Sequence, residues 1–335
     1  MLKKNIFENM YPVGDSAKSE MRATREGFGD ALLQLGKENL EVVALCADLT
    51  ESVQMHKFRD MYPDRFFQMG VAEQNMASVA SGMSAMGCVP FIASYAMFNP
   101  GRNWEQIRTT ICYNDRKVII VGAHAGLSVG PDGGTHQALE DMAIMRAIPN
   151  ITIFSPADYT EAYKLTMLAY SIKGPVYIRL AREKSPVIFE SNYEPKNGIG
   201  EIVYTSKNTF NNKVGIIATG PILYEALKAA KDLEENHHAS VSVMNVHSIK
   251  NIDRAQLVRF AINNKKIVTV EEHQVVGGLG SAICEILSED NPTKVKMLGV
   301  QNRFGQSGTV TELYKEYEID AESIVYKTLE LLHSN

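Results

Sequence analysis

A glycine-rich segment carries the side chains best suited to proton transfer. Gly122–His136 contains His124, Asp132 and His136 together with five glycines. Imidazole can gain and lose a proton near neutral pH, and glycine lets the backbone turn sharply and approach a ligand closely. The segment follows a buried strand predicted over 118–121, and open α/β sheets bind ligands at the carboxyl ends of their strands. We therefore predict a functional loop, although the pattern also fits a flexible loop with solvated histidines.

Glu73 is a second candidate because charged neighbours are scarce around it. It stands where an apolar segment turns into a helix predicted over 72–86, and no residue from Met76 to Met86 is charged. Such surroundings are typical of the protein interior, where a carboxylate needs a specific partner. The alternative is an ordinary acidic residue that stabilises the start of a helix.

Two aromatic residues, Tyr95 and Phe98, lie at the end of an apolar run that begins at Phe91. Aromatic rings at a strand end could present their faces to a heteroaromatic ligand. The pattern by itself favours core packing.

Three polar residues could together bind an anion. Arg25 precedes the first predicted helix, Ser52 follows the first strand, and Arg182 follows a strand predicted over 176–180. Guanidinium and hydroxyl groups that meet at one sheet edge suit a phosphate. Taken singly, each residue is typical of a protein surface, so this prediction depends on their meeting in the fold.

The elements that must position these residues alternate between strand and helix. The strands are continuous apolar runs, as in a parallel sheet that is covered on both faces. Those of the first half are predicted over 41–46, 118–121, 151–154 and 176–180, and its helices include 72–86, 136–146 and 157–172. We predict an α/β protein with two doubly wound domains: residues 20–190, a polar linker over 191–213, and a smaller domain over 214–335.

Composition argues against several function classes. The chain has 335 residues, a net charge of -5 and no basic run, so we expect no nucleic-acid partner. No stretch approaches the ~20 apolar residues that cross a bilayer, and the N-terminus lacks the apolar core of a secretory signal. The four cysteines have no metal-ligand spacing. Each lies in or beside an apolar segment, which predicts buried free thiols and fits a cytoplasmic protein.

Several motifs, taken in order, resemble those of the transketolase family. The first part of the chain is similar to the pyrimidine-binding domain of transketolases, and the tail is similar to their C-terminal domain. The matching stretches are Ala23-Thr-Arg25, Ala47-Asp48 through Ser52, Pro63-Asp-Arg65, Gly70-Val-Ala-Glu-Gln-Asn-Met76, Gly130-Pro-Asp-Gly-Gly-Thr-His-Gln137 and Val268-Thr-Val-Glu-Glu-His-Gln-Val-Val-Gly-Gly-Leu-Gly280. The resemblance runs from about residue 20 to the end of the sequence.

The resemblance implies an enzyme that uses thiamine diphosphate to transfer a two-carbon ketol unit from a ketose phosphate to an aldose phosphate. In transketolases an N-terminal domain binds the diphosphate and Mg²⁺ through a Gly-Asp-Gly motif, which this sequence lacks. The resemblance therefore implies a split enzyme, with this chain as its C-terminal subunit. An N-terminal partner subunit would carry the Mg²⁺ ligands, none of which lie on this chain, and the assembly would be a heterotetramer.

Functional residues of the family match residues of the same type here. Glu73 resembles the carboxylic acid that bonds a ring nitrogen of the aminopyrimidine and favours its imino tautomer. Phe98, with Tyr95, resembles the aromatic wall on which the pyrimidine stacks, and His136 resembles a histidine that transfers protons near the substrate carbonyl. The remaining matches are an anion-binding group (Arg25, Ser52, His124 and Arg182) and Asp132, which resembles an aspartate that bonds a substrate hydroxyl. Another anionic group would also fit the two arginines.

Some positions depart from the family pattern and leave alternatives open. Pro131 and Gly134 stand where many transketolases have Glu and Pro, and Arg102 has no clear counterpart. Deoxyxylulose-phosphate synthase shares the fold and much of the histidine loop, but it usually has His where this chain has Asn75. The beta subunit of a 2-oxoacid dehydrogenase is also split in this way, but the stretch from Asp132 to His136 argues against it. A non-catalytic half that only binds a partner is the third interpretation.

Overall fold

The apolar runs of the sequence form the strands of two separate sheets. A computed structural model describes residues 2–3 and 20–334. The strands of the first unit are β1 (Met21–Arg22), β2 (Val42–Cys46), β3 (Phe66–Gln68), β4 (Val89–Tyr95), β5 (Ile119–Ala123), β6 (Thr152–Phe154), β7 (Val176–Arg179) and β8 (Ser185–Pro186). Its helices are α1 (Thr24–Glu38), α2 (His56–Met61), α3 (Glu73–Ala85), α4 (Trp104–Gln106), which continues as a π-helical turn over Ile107–Cys112, α5 (Asp141–Arg146) and α6 (Tyr159–Ser171).

The first sheet is parallel throughout, with the strand order β3-β2-β4-β5-β7-β6. Alternate side chains of β2 belong to different cores: Leu45 packs with Met76 of α3, and Ala44 packs with Phe28 of α1. The sheet is therefore covered on both faces, which is why its strands read as continuous apolar runs. Outside this sheet, β1 pairs with β8, so that the segments next to Arg25 and Arg182 lie side by side.

The second unit repeats the alternation of strand and helix. Its strands are β9 (Glu201–Thr205), β10 (Lys213–Ala218), β11 (Ser240–Asn245), β12 (Lys266–Gln274) and β13 (Lys294–Val300). Its helices are α7 (Leu223–His237), α8 (Arg254–Asn264), α9 (Leu279–Asp290), α10 (Val310–Glu316) and α11 (Ala321–His333). The sheet order is β13-β12-β10-β11-β9, parallel except for the antiparallel edge strand β9. The predicted α/β class with two doubly wound units is confirmed.

One predicted element was wrong: the helix expected over 136–146 begins only at Asp141. Ala138 instead pairs with Ala125, and its carbonyl accepts a hydrogen bond from the Gly126 N–H at 3.0 Å. Just before this stretch, Gly133 has a φ of +73°, outside the helical region. The backbone of residues 136–140 is thus used to close the glycine-rich loop on itself, and the helix starts after it.

The two units are packed against each other through buried backbone and apolar contacts. The Ile249 N–H donates to the carbonyl of Ile153 at 3.1 Å, and Phe154 forms a bridge to Ser248. Within the range 191–213, β9 belongs to the second sheet through its pairing with β11. The domain boundaries given above stay a prediction.

No helix in the described part of the chain is long and apolar enough to cross a membrane. All four cysteines are free thiols, as predicted. Cys46 and Cys112 are buried as predicted, but the prediction of burial was wrong for Cys88 and Cys284, which are partly exposed.

Candidate active site

Glu73 is a buried carboxylate at the first position of α3. Its side chain is only 1% exposed. Oε1 accepts a hydrogen bond from the Ser94 hydroxyl at 3.3 Å, and Oε2 accepts one from Nη1 of Arg102 at 2.6 Å. Glu73 therefore has specific partners, and the alternative of a solvated acidic residue at a helix start is excluded.

Arg102 is the residue that has no clear counterpart in the transketolase pattern. While it bonds Glu73, its guanidinium lies over the Phe98 ring, with Cζ 4.8 Å from the ring centroid. The Arg102 side chain is 44% exposed, so it covers the carboxylate from the solvent side. One signal could have identified it: Glu73 needed a positive partner, and Arg102 is the first cation after Phe98.

Two buried asparagines fix the turn that carries Arg102. Nδ2 of Asn99 donates to the carbonyl of Val121 at 3.0 Å, and Nδ2 of Asn103 donates to the carbonyl of Glu73 at 3.1 Å. The two side chains also bond each other at 2.9 Å. Because buried amides need their hydrogen bonds satisfied, this network sets where the Arg102 side chain begins. Ser94 and these asparagines were not identified from the sequence.

The ends of β4 and β5 bring four rings together. Tyr95 stacks on His124 with 3.8 Å between ring centroids, and it lies nearly parallel to Phe98 at 6.1 Å. The His136 ring is steeply inclined to those of Phe98 and Tyr95, with its centroid 5.9 and 6.2 Å from theirs. The structure thus joins the predicted aromatic pair to both predicted histidines, and Arg102 connects this cluster to Glu73.

His124 is held in the neutral form. Burial, followed by the positive charges of Arg25 and Arg182, lowers the pKa of its imidazole to about 3. It has a positive φ of 54°, and its buried Nδ1 has no hydrogen-bond partner among the described residues. A strained residue with an unpaired polar atom is typical of a ligand site.

Arg25 and Arg182 lie next to each other beside the histidine. Nε of Arg25 donates to the carbonyl of Arg182 at 3.0 Å, and its Nη1 donates to the carbonyl of Ser52 at 2.7 Å. Burial and the charge of Arg182 lower the pKa of the Arg25 guanidinium. Nη1 of Arg182 is also paired with Oε1 of Glu183 at 3.0 Å, so the two guanidiniums have one carboxylate beside them, and an anion would stabilise the charge that remains. Ser52 contacts Arg25 through its carbonyl, whereas the sequence pointed to its hydroxyl.

Asp132 is an exposed candidate on the glycine-rich loop. It ends the stretch Leu127–Asp132, whose 3₁₀ turns are separated by a kink at Gly130, and within the described ranges it forms no hydrogen bond or ion pair with the other candidates. His136, on the same loop, is partly exposed, and its Nδ1 lies 2.9 Å from the Thr135 hydroxyl.

The arrangement suits a flat heteroaromatic group next to an anion. The Arg102 guanidinium, which is itself flat and bears N–H groups, uses the carboxylate of Glu73 and the face of Phe98 at once. An aminopyrimidine could stack on the same ring and share a proton between its ring nitrogen and the carboxylate of Glu73, so the residues fit the pyrimidine of thiamine diphosphate. In residues 2–3 and 20–334, no cluster of three His, Cys, Asp or Glu side chains is arranged to hold a metal ion.

Comparison with known proteins gives the same family for both units. Residues 20–187 match the family described as transketolase, pyrimidine binding domain, and residues 204–324 match transketolase, C-terminal domain. A protein from Methanocaldococcus jannaschii, named as a transketolase C-terminal section, is 39% identical over 92% of this chain and 96% of its own length. A 6-deoxy-6-sulfo-D-fructose transketolase subunit from a Clostridium species is 34% identical over 92% of this chain and 94% of its own.

The chain also matches longer relatives, of which it spans about half. Human transketolase is 34% identical over 94% of this chain, which spans only 49% of the human protein. Among solved structures, one described as a split gene transketolase, inactive beta4 tetramer, superimposes with a TM-score of 0.83. It is 40% identical, and the match covers 92% of this chain and 98% of that one.

Proposed function

The chain belongs to the transketolase family, and on that basis we propose that it is the pyrimidine-binding half of a split enzyme that transfers ketol units between sugar phosphates. The observation that carries this proposal is the position of Arg102 between Glu73 and Phe98. A stacking face and a buried carboxylate are the two contacts that an aminopyrimidine needs. In the subunit alone, Arg102 occupies both positions, because it bonds Glu73 and lies over the Phe98 ring.

Glu73 is proposed to bond a ring nitrogen of the pyrimidine. Thiamine diphosphate supplies the electron sink for breaking and forming the carbon–carbon bond. A carboxyl in a dry pocket can hold or give up a proton at the ring nitrogen, provided that no counter-charge is bound to it. Arg102 must therefore leave Glu73 when the cofactor binds. Its 44% exposure allows it to turn towards solvent without leaving a buried cation.

Arg25, Arg182 and His124 are proposed to bind the anionic end of the sugar, with Ser52 fixing Arg25. The pKa values of Arg25 and His124 are both lowered by burial and by surrounding positive charge, so a negative group would be stabilised between them. The name of the Clostridium relative refers to a sulfonated sugar. Sulfonate and phosphate are both tetrahedral oxyanions, and we propose phosphate as the ligand of this chain.

His136 and Asp132 are proposed to act on the substrate itself. His136 lies against the edges of the ring cluster, close to where the pyrimidine would stack, and it can transfer a proton at the substrate carbonyl or hydroxyl. Asp132 is exposed on the same loop and would bond a substrate hydroxyl once the sugar is in place.

An N-terminal subunit is the proposed partner. The sequence has no Gly-Asp-Gly motif, so we place the diphosphate and Mg²⁺ ligands on that subunit and expect a heterotetramer of the two kinds of chain. The relative described as an inactive beta4 tetramer supports the idea that this half has no activity alone. The free thiols support a cytoplasmic location.

Reconstitution tests the proposal directly. The chain would be purified alone and together with the N-terminal transketolase subunit encoded in the same genome. Thiamine diphosphate binding would be measured by calorimetry with Mg²⁺, and ketol transfer by product analysis with xylulose 5-phosphate and ribose 5-phosphate. We expect binding and turnover only in the mixture, and full activity of the isolated chain would contradict the split-enzyme proposal. Carboligation of pyruvate and glyceraldehyde 3-phosphate, without ketol transfer, would instead indicate a synthase of the deoxyxylulose-phosphate type.

A further inference from the structure

Glu272 belongs to the second unit but contacts the functional loop of the first. It lies on β12 and is only 2% exposed. Its Oε2 accepts a hydrogen bond from the Ser128 N–H at 2.8 Å, and its Oε1 accepts one from the Tyr314 hydroxyl at 2.6 Å. Both carboxylate oxygens are therefore used, one within the second unit and one across the interface.

Val129, the residue after Ser128 in the loop, is held by an arginine of the first unit. The carbonyl of Val129 accepts a hydrogen bond from Nη1 of Arg182 at 2.8 Å. The carbonyl of Arg182 in turn accepts a hydrogen bond from Nε of Arg25 at 3.0 Å. A chain of direct contacts thus runs from Glu272, through Ser128 and Val129, to both arginines of the proposed anion site.

The loop is built to come this close to Glu272. Gly126 has a φ of +86°, and a Cβ added there would lie 2.8 Å from Oε2 of Glu272. The second unit also contacts the loop elsewhere, because Nε2 of Gln137 donates to the carbonyl of Gln306 at 3.0 Å. Only glycine fits at position 126, so the close approach is a specific feature of the sequence.

We propose that Glu272 is a positioning residue for the anion site. By fixing Ser128 it sets the Val129 carbonyl, which together with the carboxylate of Glu183 holds Nη1 of Arg182 and so orients its guanidinium. The second unit would then determine how tightly the anionic end of the sugar is bound, while the bond-forming chemistry stays in the first unit. The kinetic part of this inference rests on the proposed function, but the structural part does not.

The neighbouring residue provides a matched control. Glu271 is also a buried glutamate on β12, but its partners are the N–H groups of Leu279 and Gly280, at 2.7 and 2.8 Å, inside the second unit. Replacing Glu271 or Glu272 by Ala removes two buried hydrogen bonds in either case. Only the Glu272 change should reach the loop.

A conservative variant separates positioning from charge. In Glu272→Gln, the amide oxygen can accept from the Ser128 N–H, and the amide nitrogen can donate to the Tyr314 oxygen. We therefore expect Glu272→Gln to retain the wild-type loop and Glu272→Ala to lose it.

Amide hydrogen exchange on the full chain alone is the first measurement, and it needs neither cofactor nor partner. The amides of Gly133 and His136 bond within the loop and do not contact Glu272 directly. In Glu272→Ala their exchange should become about tenfold faster, a change equivalent to ~1.4 kcal/mol in local opening. In Glu272→Gln and Glu271→Ala, both compared well below their melting temperatures, it should match the wild type. Unchanged exchange in Glu272→Ala would overturn the inference.

Steady-state kinetics of the reconstituted complex is the second measurement. Glu272→Ala should raise the KM for xylulose 5-phosphate by about tenfold, because a misaimed Arg182 loses one charge-assisted bond. Its kcat should change little, and the KM for hydroxypyruvate, which has no phosphate, should also change little. Equal effects of Glu271→Ala and Glu272→Ala on the KM for xylulose 5-phosphate would mean that Glu272 is only structural. An inactive wild-type complex would instead count against the proposed function, and hydrogen exchange would still decide the role of Glu272 in the loop.

Discussion

Glu73 and Glu271 are both buried glutamates, but their hydrogen-bond partners are of different kinds. Glu73 is bonded by two side chains, those of Ser94 and Arg102. Glu271 is bonded by backbone N–H groups in the first turn of α9, those of Leu279 and Gly280. Each carboxylate is satisfied in the subunit alone, so burial and pairing do not by themselves distinguish a ligand site from a structural one.

What distinguishes the two sites is whether the partner can leave. A Cβ added to Gly278 would lie 2.0 Å from Oε2 of Glu271, so there is no room for a ligand, and the N–H groups cannot move without unwinding α9. Arg102, by contrast, is 44% exposed and sits on an aromatic face that another flat group could use. A buried carboxylate with a removable partner is the better candidate for ligand binding, and the predictions below test this distinction.

Glu73→Gln should have the largest effect. The glutamine keeps the size of the side chain but cannot exchange a proton with a pyrimidine nitrogen. In the reconstituted complex, exchange of the thiazolium C2 proton, measured by NMR, should fall by at least ~10²-fold, as for the loss of a general acid or base. The control Glu271→Gln should exchange at the wild-type rate. Near-normal exchange in Glu73→Gln would remove Glu73 from the mechanism and put both glutamates in the structural class.

Arg25→Ala tests the same distinction, between a ligand-binding residue and a structural one, for two arginines. The hydrogen-bond partners of Arg25 are two carbonyls, which leaves its charge available for an anion. Losing one charge-assisted bond of ~1.5–3 kcal/mol should raise the KM for xylulose 5-phosphate roughly ten- to a hundredfold, with much less effect on hydroxypyruvate. Arg146 is the matched control, since it bonds the Gly277 carbonyl and pairs with Glu285 at 2.7 Å. Equal losses on both substrates would make Arg25 a structural residue like Arg146.

Arg102→Ala should strengthen cofactor binding, because it removes the group that competes for Glu73 and Phe98. We expect the dissociation constant of thiamine diphosphate in the complex to fall by about tenfold, because a competing charge-assisted bond no longer has to be broken. Calorimetry would measure it without turnover.

Arg303 is the control for Arg102, since it is also 44% exposed, pairs with Glu316, and lies over Tyr317 with Cζ 3.9 Å from the ring centroid. Arg303→Ala should leave the dissociation constant unchanged. Weaker binding of thiamine diphosphate in Arg102→Ala would mean that Arg102 helps to hold the cofactor and does not leave Glu73.

The sequence predicted the fold well because the signal for each element is local. Runs such as 42–46 and 119–123 are apolar on both faces, which is typical of a covered parallel strand. The helix predicted to begin at His136 does not form there, because the backbone just after this residue bonds Gly126. Local helix propensity cannot predict such a pairing.

For the candidate site, the sequence pointed to several residues that meet in the fold, but not to the contacts that connect them. The side chains on the two strand ends, such as Tyr95 and His124, could be expected to meet because parallel strands end at one edge. The contacts of Arg102 with Glu73 and of Glu272 with Ser128 could not, since they depend on turn geometry and on packing between the two units. A single sequence does not specify such distant contacts.

Glu271→Gln should have the smallest effect, and the effect should depend on pH. Burial raises the pKa of Glu271 to about 8, despite the two N–H groups that favour its charged form. The unfolded chain has a glutamate pKa of about 4.3. Because the folded state binds the proton more tightly, the stability contributed by Glu271 is fully present below the unfolded value and is lost as the pH rises through about 8. Glutamine stays uncharged at every pH, but its NH2 group must face one of the two N–H donors, so the variant should melt below the wild type near pH 5, and the difference should shrink as the pH rises towards 9. Melting curves of the full chain between these limits test this, and a constant difference across the range would show that Glu271 does not change its charge.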